Sequence, residues 1–346
     1  MKLKLNSHTI KAISIVLPKN SYSLNEELKQ CNLSESKYKI LQQNTGIKNH
    51  FICPENIFAS NLANQALEKL FKENLLLKDE LDALLVCSFT PDFLAPALSS
   101  LIHKNLKLDK KTLCYDNIAF CSGFLQGLSQ SFLLLDNKNI KKVALVCVSV
   151  KSKKISKNDK VTYLSNSDSA SAILIEKSNT KEKALFSQEI FSDFSTEETF
   201  PVKCFKEAND FIDMDRNLTF SHLNKNFPIF FNDFFNNFKL EKNKIDEFFL
   251  QSSNNFIKTK LLELLGFKEI KQDETLENYG DTTINKLVLD LANYNQKIIK
   301  TASGGGGDLK QIYMASFGTG ITFNAMSLKI DFSKIKSFIK IIDFEK

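Results

Sequence analysis

Seven cysteines, at positions 31, 53, 87, 114, 121, 147 and 204, are the natural candidates for nucleophilic chemistry in this chain. Their number is odd and no two form a Cys-x-x-Cys, so free thiols in a reducing compartment are expected rather than a disulfide frame. Cys87 and Cys147 close short apolar runs, where cysteine behaves as a small hydrophobe. Cys31, Cys53 and Cys204 lie in polar or turn-like stretches, and Cys114 belongs to an apolar entry segment. Cys121 differs. It is followed by Ser122-Gly123 and then by Phe124, Leu125, Leu128, Phe132 and Leu135 at helical spacing. A thiol at the start of such a helix meets unpaired amides and the positive end of the helix dipole, which lower its pKa and make it reactive. The same amides can support an oxyanion. An inert core thiol fits these residues too, and their types and spacing leave both readings open.

The elements around Cys121 occur twice. Leu81-Asp82-Ala83-Leu84-Leu85-Val86-Cys87-Ser88 reads as a buried strand entered through an acidic residue, and Ile245-Asp246-Glu247-Phe248-Phe249-Leu250-Gln251-Ser252 has the same form about 165 residues later. The stretch from Asn139 to Cys147 matches that from Asp308 to Ser316 at a similar offset. Between the members of each pair lies one apolar helical segment, Ser122 to Leu135 in the first case and Thr282 to Tyr294 in the second. Strands alternating with helices predict an α/β fold with buried strands, built as two halves, 1–178 and 179–346. Small residues at 122, 123, 127 and 129 suit a helix packed closely at the centre. The glycine run within 301–308 stands in no strand-turn-helix context and reads as a connector rather than a phosphate cradle.

Composition narrows the function classes. The longest apolar runs are far too short for a membrane span, and the first residues lack the apolar core of a secretory signal, so a cytoplasmic protein is expected. A net charge of +6 is mild, and no stripe of interleaved basic and aromatic residues suggests nucleic-acid binding. The lysines at 151, 153 and 154 read as solvated surface. The 30 phenylalanines and the lack of tryptophan read as compositional bias.

At the Cys121 segment the chain resembles the ketoacyl-acyl-carrier-protein synthase III family of thiolase-fold condensing enzymes. Thr45-Gly46-Ile47 followed by His50 is similar to the family's early motif, which typically carries Arg where His50 stands. Cys87 to Asp92 with Pro96 and Ser99 resembles the strand and loop before the nucleophile. Asn117 to Leu128 resembles the nucleophile segment, Asn166 to Ala172 its glycine-rich strand entry, and Ser316 to Phe323 its C-terminal glycine loop. The resemblance implies a five-layered αβαβα fold from internal duplication and an acyl-accepting Cys121. It implies coenzyme A or phosphopantetheine thioesters as substrates, with acyl carrier protein or acyl-CoA as partner. It also implies a homodimer, with no metal and no permanently bound cofactor.

The departures fall at the chemistry. Gln251 matches the family's His and Asp281 its Asn, both of which hydrogen-bond the malonyl thioester oxygen as it becomes an enolate. Thr319 occupies the middle position of the C-terminal loop, whose backbone amide joins that of Cys121 in the family's oxyanion hole. Gln251 can still donate. An ionised Asp281 cannot, and its charge would repel an enolate, so the decarboxylative step should be impaired. Asp281 would instead suit a general base for an alcohol or amine that attacks the acyl-cysteine. Lys258 and Lys260 fall on the helix after Gln251, where the family's basic entrance for anionic carriers lies. The resulting expectation is an acyltransferase, against a non-catalytic acyl- or carrier-binding partner subunit or an acyl-thioester hydrolase.

Overall fold

The apolar runs pair into two sheets, and the two repeated helices lie between them. The computed structural model describes residues 1–30, 35–156, 158–191, 212, 215–267, 273–301, 309–318 and 320–344. Its first half runs β1 (Lys2–Asn6), β2 (Thr9–Pro18), β3 (Ser21–Ser23), α1 (Leu24–Gln30), α2 (Glu35–Thr45), β4 (Asn49–Phe51), α3 (Ala59–Lys72), β5 (Ala83–Cys87), α4 (Leu98–Leu106), β6 (Leu113–Asn117), α5 (Gly123–Asp136), β7 (Lys142–Ser149), α6 (Lys160–Ser165) and β8 (Ser169–Glu176). The second runs β9 (Lys183–Ile190), α7 (Arg216–Phe238), β10 (Glu247–Leu250), α8 (Asn255–Leu264), α9 (Glu274–Tyr279), α10 (Lys286–Thr301), β11 (Leu309–Gly318), β12 (Thr322–Asp331) and β13 (Lys336–Ile342).

The duplication is present down to side chains. One sheet has the order β13-β2-β8-β7-β5-β6 and the other β1-β9-β12-β11-β10. In each, the strand entered through an acidic residue pairs in parallel with the strand after the central helix: Leu85 stands opposite Leu145, and Phe249 opposite Met314. The acidic residues do the same work in both halves. Asp82 Oδ2 accepts from the Lys141 and Lys142 amides at 2.7 and 2.9 Å, and Asp246 Oδ2 accepts from the Gln311 amide at 2.7 Å.

Three apolar clusters define five layers. Leu85 and Leu145 of the first sheet and Met314, Met326 and Leu328 of the second enclose Phe124, Leu128 and Phe132 of α5 and Leu287 and Leu291 of α10. The other face of the first sheet, with Val86 and Val146, packs on Leu62 and Leu67 of α3 and Ile102 of α4. The outer face of the second sheet packs on Phe227, Phe230, Phe231 and Phe234 of α7. Burying such a ring is worth roughly 1.5–3 kcal/mol, so these phenylalanines build a layer instead of merely reflecting composition. At Gly127 an added Cβ would lie 2.6 Å from Leu145 Cδ1 and 2.8 Å from Cys87 Sγ, which is how α5 approaches its sheet so closely.

Two expectations need correction. The second central helix starts at Lys286, four residues after Thr282, because a 3₁₀ turn at Thr283–Asn285 with Thr283 at φ +56° intervenes. The sheets also do not divide at residue 178. β1 pairs with β9, Lys2 opposite Ser187, while β13 lies parallel to β2, Lys336 opposite Ala12. Each half thus receives one strand from the far end of the chain. Of the glycine-rich connector, 302–308 lie outside the described residues. Among the described residues no helix is long and apolar enough to cross a membrane.

Candidate active site

Cys121 stands in the turn between β6 and α5. The Gly123 amide donates to the Phe120 carbonyl at 3.0 Å, and Ser122 occupies the N-cap of α5. The thiol is therefore two residues before the helix rather than in its first turn. The end of β11 presses on this turn: a Cβ on Gly318 would come within 2.9 Å of Ser122 Oγ and 3.0 Å of its backbone nitrogen. Gly318→Ala is accordingly expected to displace the turn that carries Cys121. It should lower stability by about 1–3 kcal/mol and slow acylation of Cys121, as read by thermal unfolding and adduct formation.

Cys121 opens into a cavity of about 370 Å³ between the two halves, within the range of roughly 300–1,000 Å³ typical of ligand sites. Gln251, directly after β10, and Asp281, between α9 and α10, line the same cavity. The structure thus brings the three predicted residues together from segments far apart in the chain. The wall is mostly apolar, formed by Val161, Phe220, Leu223, Phe256, Ile257, Phe317 and Ile321.

Asp281 is set by its backbone. Its amide donates to the Ser165 carbonyl at 2.8 Å, and its carbonyl accepts from the Ser167 amide at 2.9 Å. Gly280 before it adopts φ +70°, where a Cβ would lie 3.0 Å from the Ser165 carbonyl oxygen, a conformation open to glycine at little cost. Asp281 Oδ1 accepts from the Thr283 amide at 2.9 Å. Oδ2 accepts from Lys151 Nζ at 2.6 Å, and the side chains of both are almost wholly buried. The expectation of a solvated Lys151 is therefore wrong. β7 delivers it inward through the 3₁₀ turn Lys151–Lys154, and its ammonium lines the cavity 6.0 Å from the Phe120 ring centre. Asp281 is likewise no isolated carboxylate.

Gln251 is 1% exposed, and among the described residues neither its amide nitrogen nor its amide oxygen reaches a nitrogen or oxygen partner. Its side chain is still near enough to Cys121 to favour the thiolate. Buried polar atoms are seldom left unpaired in folded proteins, and an orphaned amide facing a cavity marks a place for a polar ligand atom.

The charge state of Cys121 runs against expectation. Burial pushes the thiol well above its ordinary value, and the Asp281 carboxylate pushes the same way. Lys151, the residue's own amide and Gln251 oppose this without overcoming it. The residue keeps some accessible surface toward the cavity, yet its own amide, Gln251 and Lys151 do not offset desolvation.

Other predicted positions lie elsewhere. Lys258 does not stand free at an entrance: its ammonium binds Asp273 Oδ2 at 2.8 Å, where α8 meets the N-cap of α9. Burial opposes ionisation of Asp273, but Lys286 and Lys258 hold that carboxyl well below the usual range. Lys260 is exposed and pairs with Glu263 at 2.9 Å, and neither lysine lines the cavity. Thr319, Cys31 and Cys204 lie outside the described residues. His50 is fully buried between the Asn166 carbonyl and Glu27, bracing α1 rather than meeting the cavity. At the cavity mouth, Arg216 grips both Asp159 oxygens at 2.5 Å and Thr162 Oγ1 at 2.8 Å. It is the only arginine in the sequence, and that singularity was the signal available for it.

Known proteins resemble this chain in sequence and in fold. Residues 115–193, which include Cys121 and Lys151, match the family described as 3-oxoacyl-[acyl-carrier-protein (ACP)] synthase III. The chain is 30% identical over 183 residues to a putative 3-oxoacyl-[acyl-carrier-protein] synthase 3 of Campylobacter jejuni, which covers 53% of this chain and 52% of that one. It is 25% identical over 299 residues to a beta-ketoacyl-[acyl-carrier-protein] synthase III of Streptococcus agalactiae, with 84% and 90% covered. Among solved structures, a 3-oxoacyl-(acyl-carrier protein) synthase from Burkholderia xenovorans superposes with a TM-score of 0.88 at 20% identity, covering 98% of this chain and 99% of that one. That likeness establishes the fold.

Proposed function

We propose that the chain is a condensing-type acyltransferase of the 3-oxoacyl-[acyl-carrier-protein] synthase III family that it matches over residues 115–193, in which Cys121 takes an acyl group from an acyl-CoA or acyl-carrier-protein thioester. It then passes that group to a malonyl-derived carbanion or to a hydroxyl or amine. The observation that carries this reading is the convergence of Cys121, Gln251 and Asp281 on one largely apolar cavity. The apolar wall suits an acyl chain, and the unpartnered amide of Gln251 suits a thioester oxygen. A thiolate attacking the thioester carbonyl forms a new C–S bond and expels the carrier thiolate, so the thioester is exchanged rather than consumed.

Several partners follow from the same reading. The carriers are anionic and the chain is net positive, which favours encounter. β6 pairs with β5 on one side only among the described residues, and Leu113, Tyr115 and the adjacent Ile118 are exposed at that edge. An unpaired apolar edge strand suits pairing with a second copy of the chain, so a homodimer is part of the proposal. The free cysteines among the described residues fit a reducing, cytoplasmic setting.

The test is intact mass after incubation with acyl-CoA and acyl-carrier-protein donors of graded chain length. One acyl adduct on Cys121 is expected; no adduct with any donor defeats the proposal. The raised pKa of the thiol favours one competitor, a partner subunit that binds acyl thioesters without reacting. It would show binding without a gain in mass.

A further inference from the structure

Lys151, ion-paired with Asp281, has no part in the reading above, and it bears on which acceptor the enzyme uses. We infer that Lys151 is a catalytic residue whose ammonium hydrogen-bonds the acceptor's thioester oxygen as it turns into an enolate, that Asp281 positions it, and that the acceptor is accordingly a malonyl-type thioester. This rests on Cys121 as the acyl carrier.

Four observations support it. An ammonium has three N–H donors, and the Lys151 group has one hydrogen-bond acceptor among the described residues, Asp281 Oδ2. The residue is 4% exposed yet lines the cavity that Cys121 and Gln251 share, so its remaining donors have only that space to serve. Gln251 brings to the same cavity a second donor that has no nitrogen or oxygen partner among the described residues. Together these two supply what the His and Asn of the family would have supplied. Finally, Asp281 is ill placed as a general base, because Lys151 occupies one oxygen and the Thr283 amide the other. Its negative charge is also offset by the ammonium beside it, which removes the repulsion that an isolated carboxylate would exert on an enolate.

The step balances without another reactant. The bond from the malonyl methylene carbon to its carboxylate breaks, carbon dioxide leaves, and the electron pair passes into the thioester to give the enolate held by Lys151 and Gln251. The enolate carbon attacks the carbonyl of the acyl-Cys121, a C–C bond forms, and the Cys121 sulfur departs as thiolate. Lys151 stays protonated throughout.

Two half-reactions are measured separately on the wild-type chain and on Lys151→Gln, Lys151→Arg and Asp281→Asn: acyl adduct on Cys121 by intact mass, and carbon dioxide release from malonyl-carrier protein by the acylated enzyme. Losing one such donor typically costs on the order of 10²–10³ in rate. Lys151→Gln is therefore expected to slow carbon dioxide release at least about 100-fold while acylation stays near wild type. Lys151→Arg keeps a charged donor, and Asp281→Asn keeps an acceptor for Lys151, so both should retain most of the release. Equal losses in both half-reactions, no change in either, or loss of release in Asp281→Asn alone would each overturn the assignment. Should Lys151→Gln fail to fold, Asp281→Asn decides between donor and base. A wild-type chain that acylates but releases no carbon dioxide refutes the role of Lys151 only. One that never acylates refutes the proposed function instead.

Discussion

Replacing Cys121 by alanine is expected to abolish the acyl adduct and to lower turnover by about three orders of magnitude or more, because a covalent relay loses its only attachment point. The substitution removes a single sulfur from a cavity wall rather than from a packed cluster, so stability should change by about 1 kcal/mol or less. Intact mass, product formation and thermal unfolding read the three quantities. No other described cysteine can substitute. Cys87 and Cys147 are buried opposite one another in the first sheet, Cys53 is buried in the outer core beside Asp168, and Cys114, half-buried on β6, does not line the cavity. Retained turnover in Cys121→Ala would remove the basis for a covalent mechanism.

The second large effect is a pH dependence, and its sign follows from burial. The thiolate is the reactive form of a cysteine, and desolvation together with the Asp281 charge holds the Cys121 pKa above its ordinary value. At neutral pH the group is then a protonated thiol. The reactive fraction grows tenfold per pH unit for as long as the pH stays below that pKa. The rate of acylation under limiting donor should therefore climb with unit slope from pH 6 through pH 9, about 1,000-fold in all. A thiol activated by the helix terminus would instead level off below neutral pH, so a plateau beginning under pH 8 contradicts the structural account.

Much of the architecture could be read from spacing. Asp82 and Asp246, each heading a buried strand, marked the duplication, and the structure shows both carboxylates binding amides at the start of the neighbouring strand. The small residues after Cys121 marked a tightly packed central helix, and Gly127 packs against Leu145 and Cys87 as such a helix requires. The meeting of Cys121, Gln251 and Asp281 was legible only through the family resemblance, since nothing in local spacing joins positions so distant. Lys151 could not be read at all. It stands in a run of lysines that looks like solvated surface, and its partner is 130 positions away. The pKa of Cys121 was misjudged for a related reason. Sequence reveals a helix start, but not that α5 begins two residues later or how much protein covers the sulfur. Gln251 was read as a donor, and its lack of a protein partner became visible only with its neighbours in place.

The exchange of end strands has a consequence for how the chain matures. β2 waits for a neighbour that lies more than 300 positions downstream, in Lys336–Ile342. During synthesis the leading half therefore leaves the ribosome with one flank of its six-stranded sheet uncovered, and β1 has no place until β9 arrives. Such long-range pairing slows folding and prolongs the exposure of unpaired backbone. Synthesis of Lys336–Ile342 thus completes the six-stranded sheet, and a nascent chain halted before position 336 would present the open flank of β2 to chaperones or proteases.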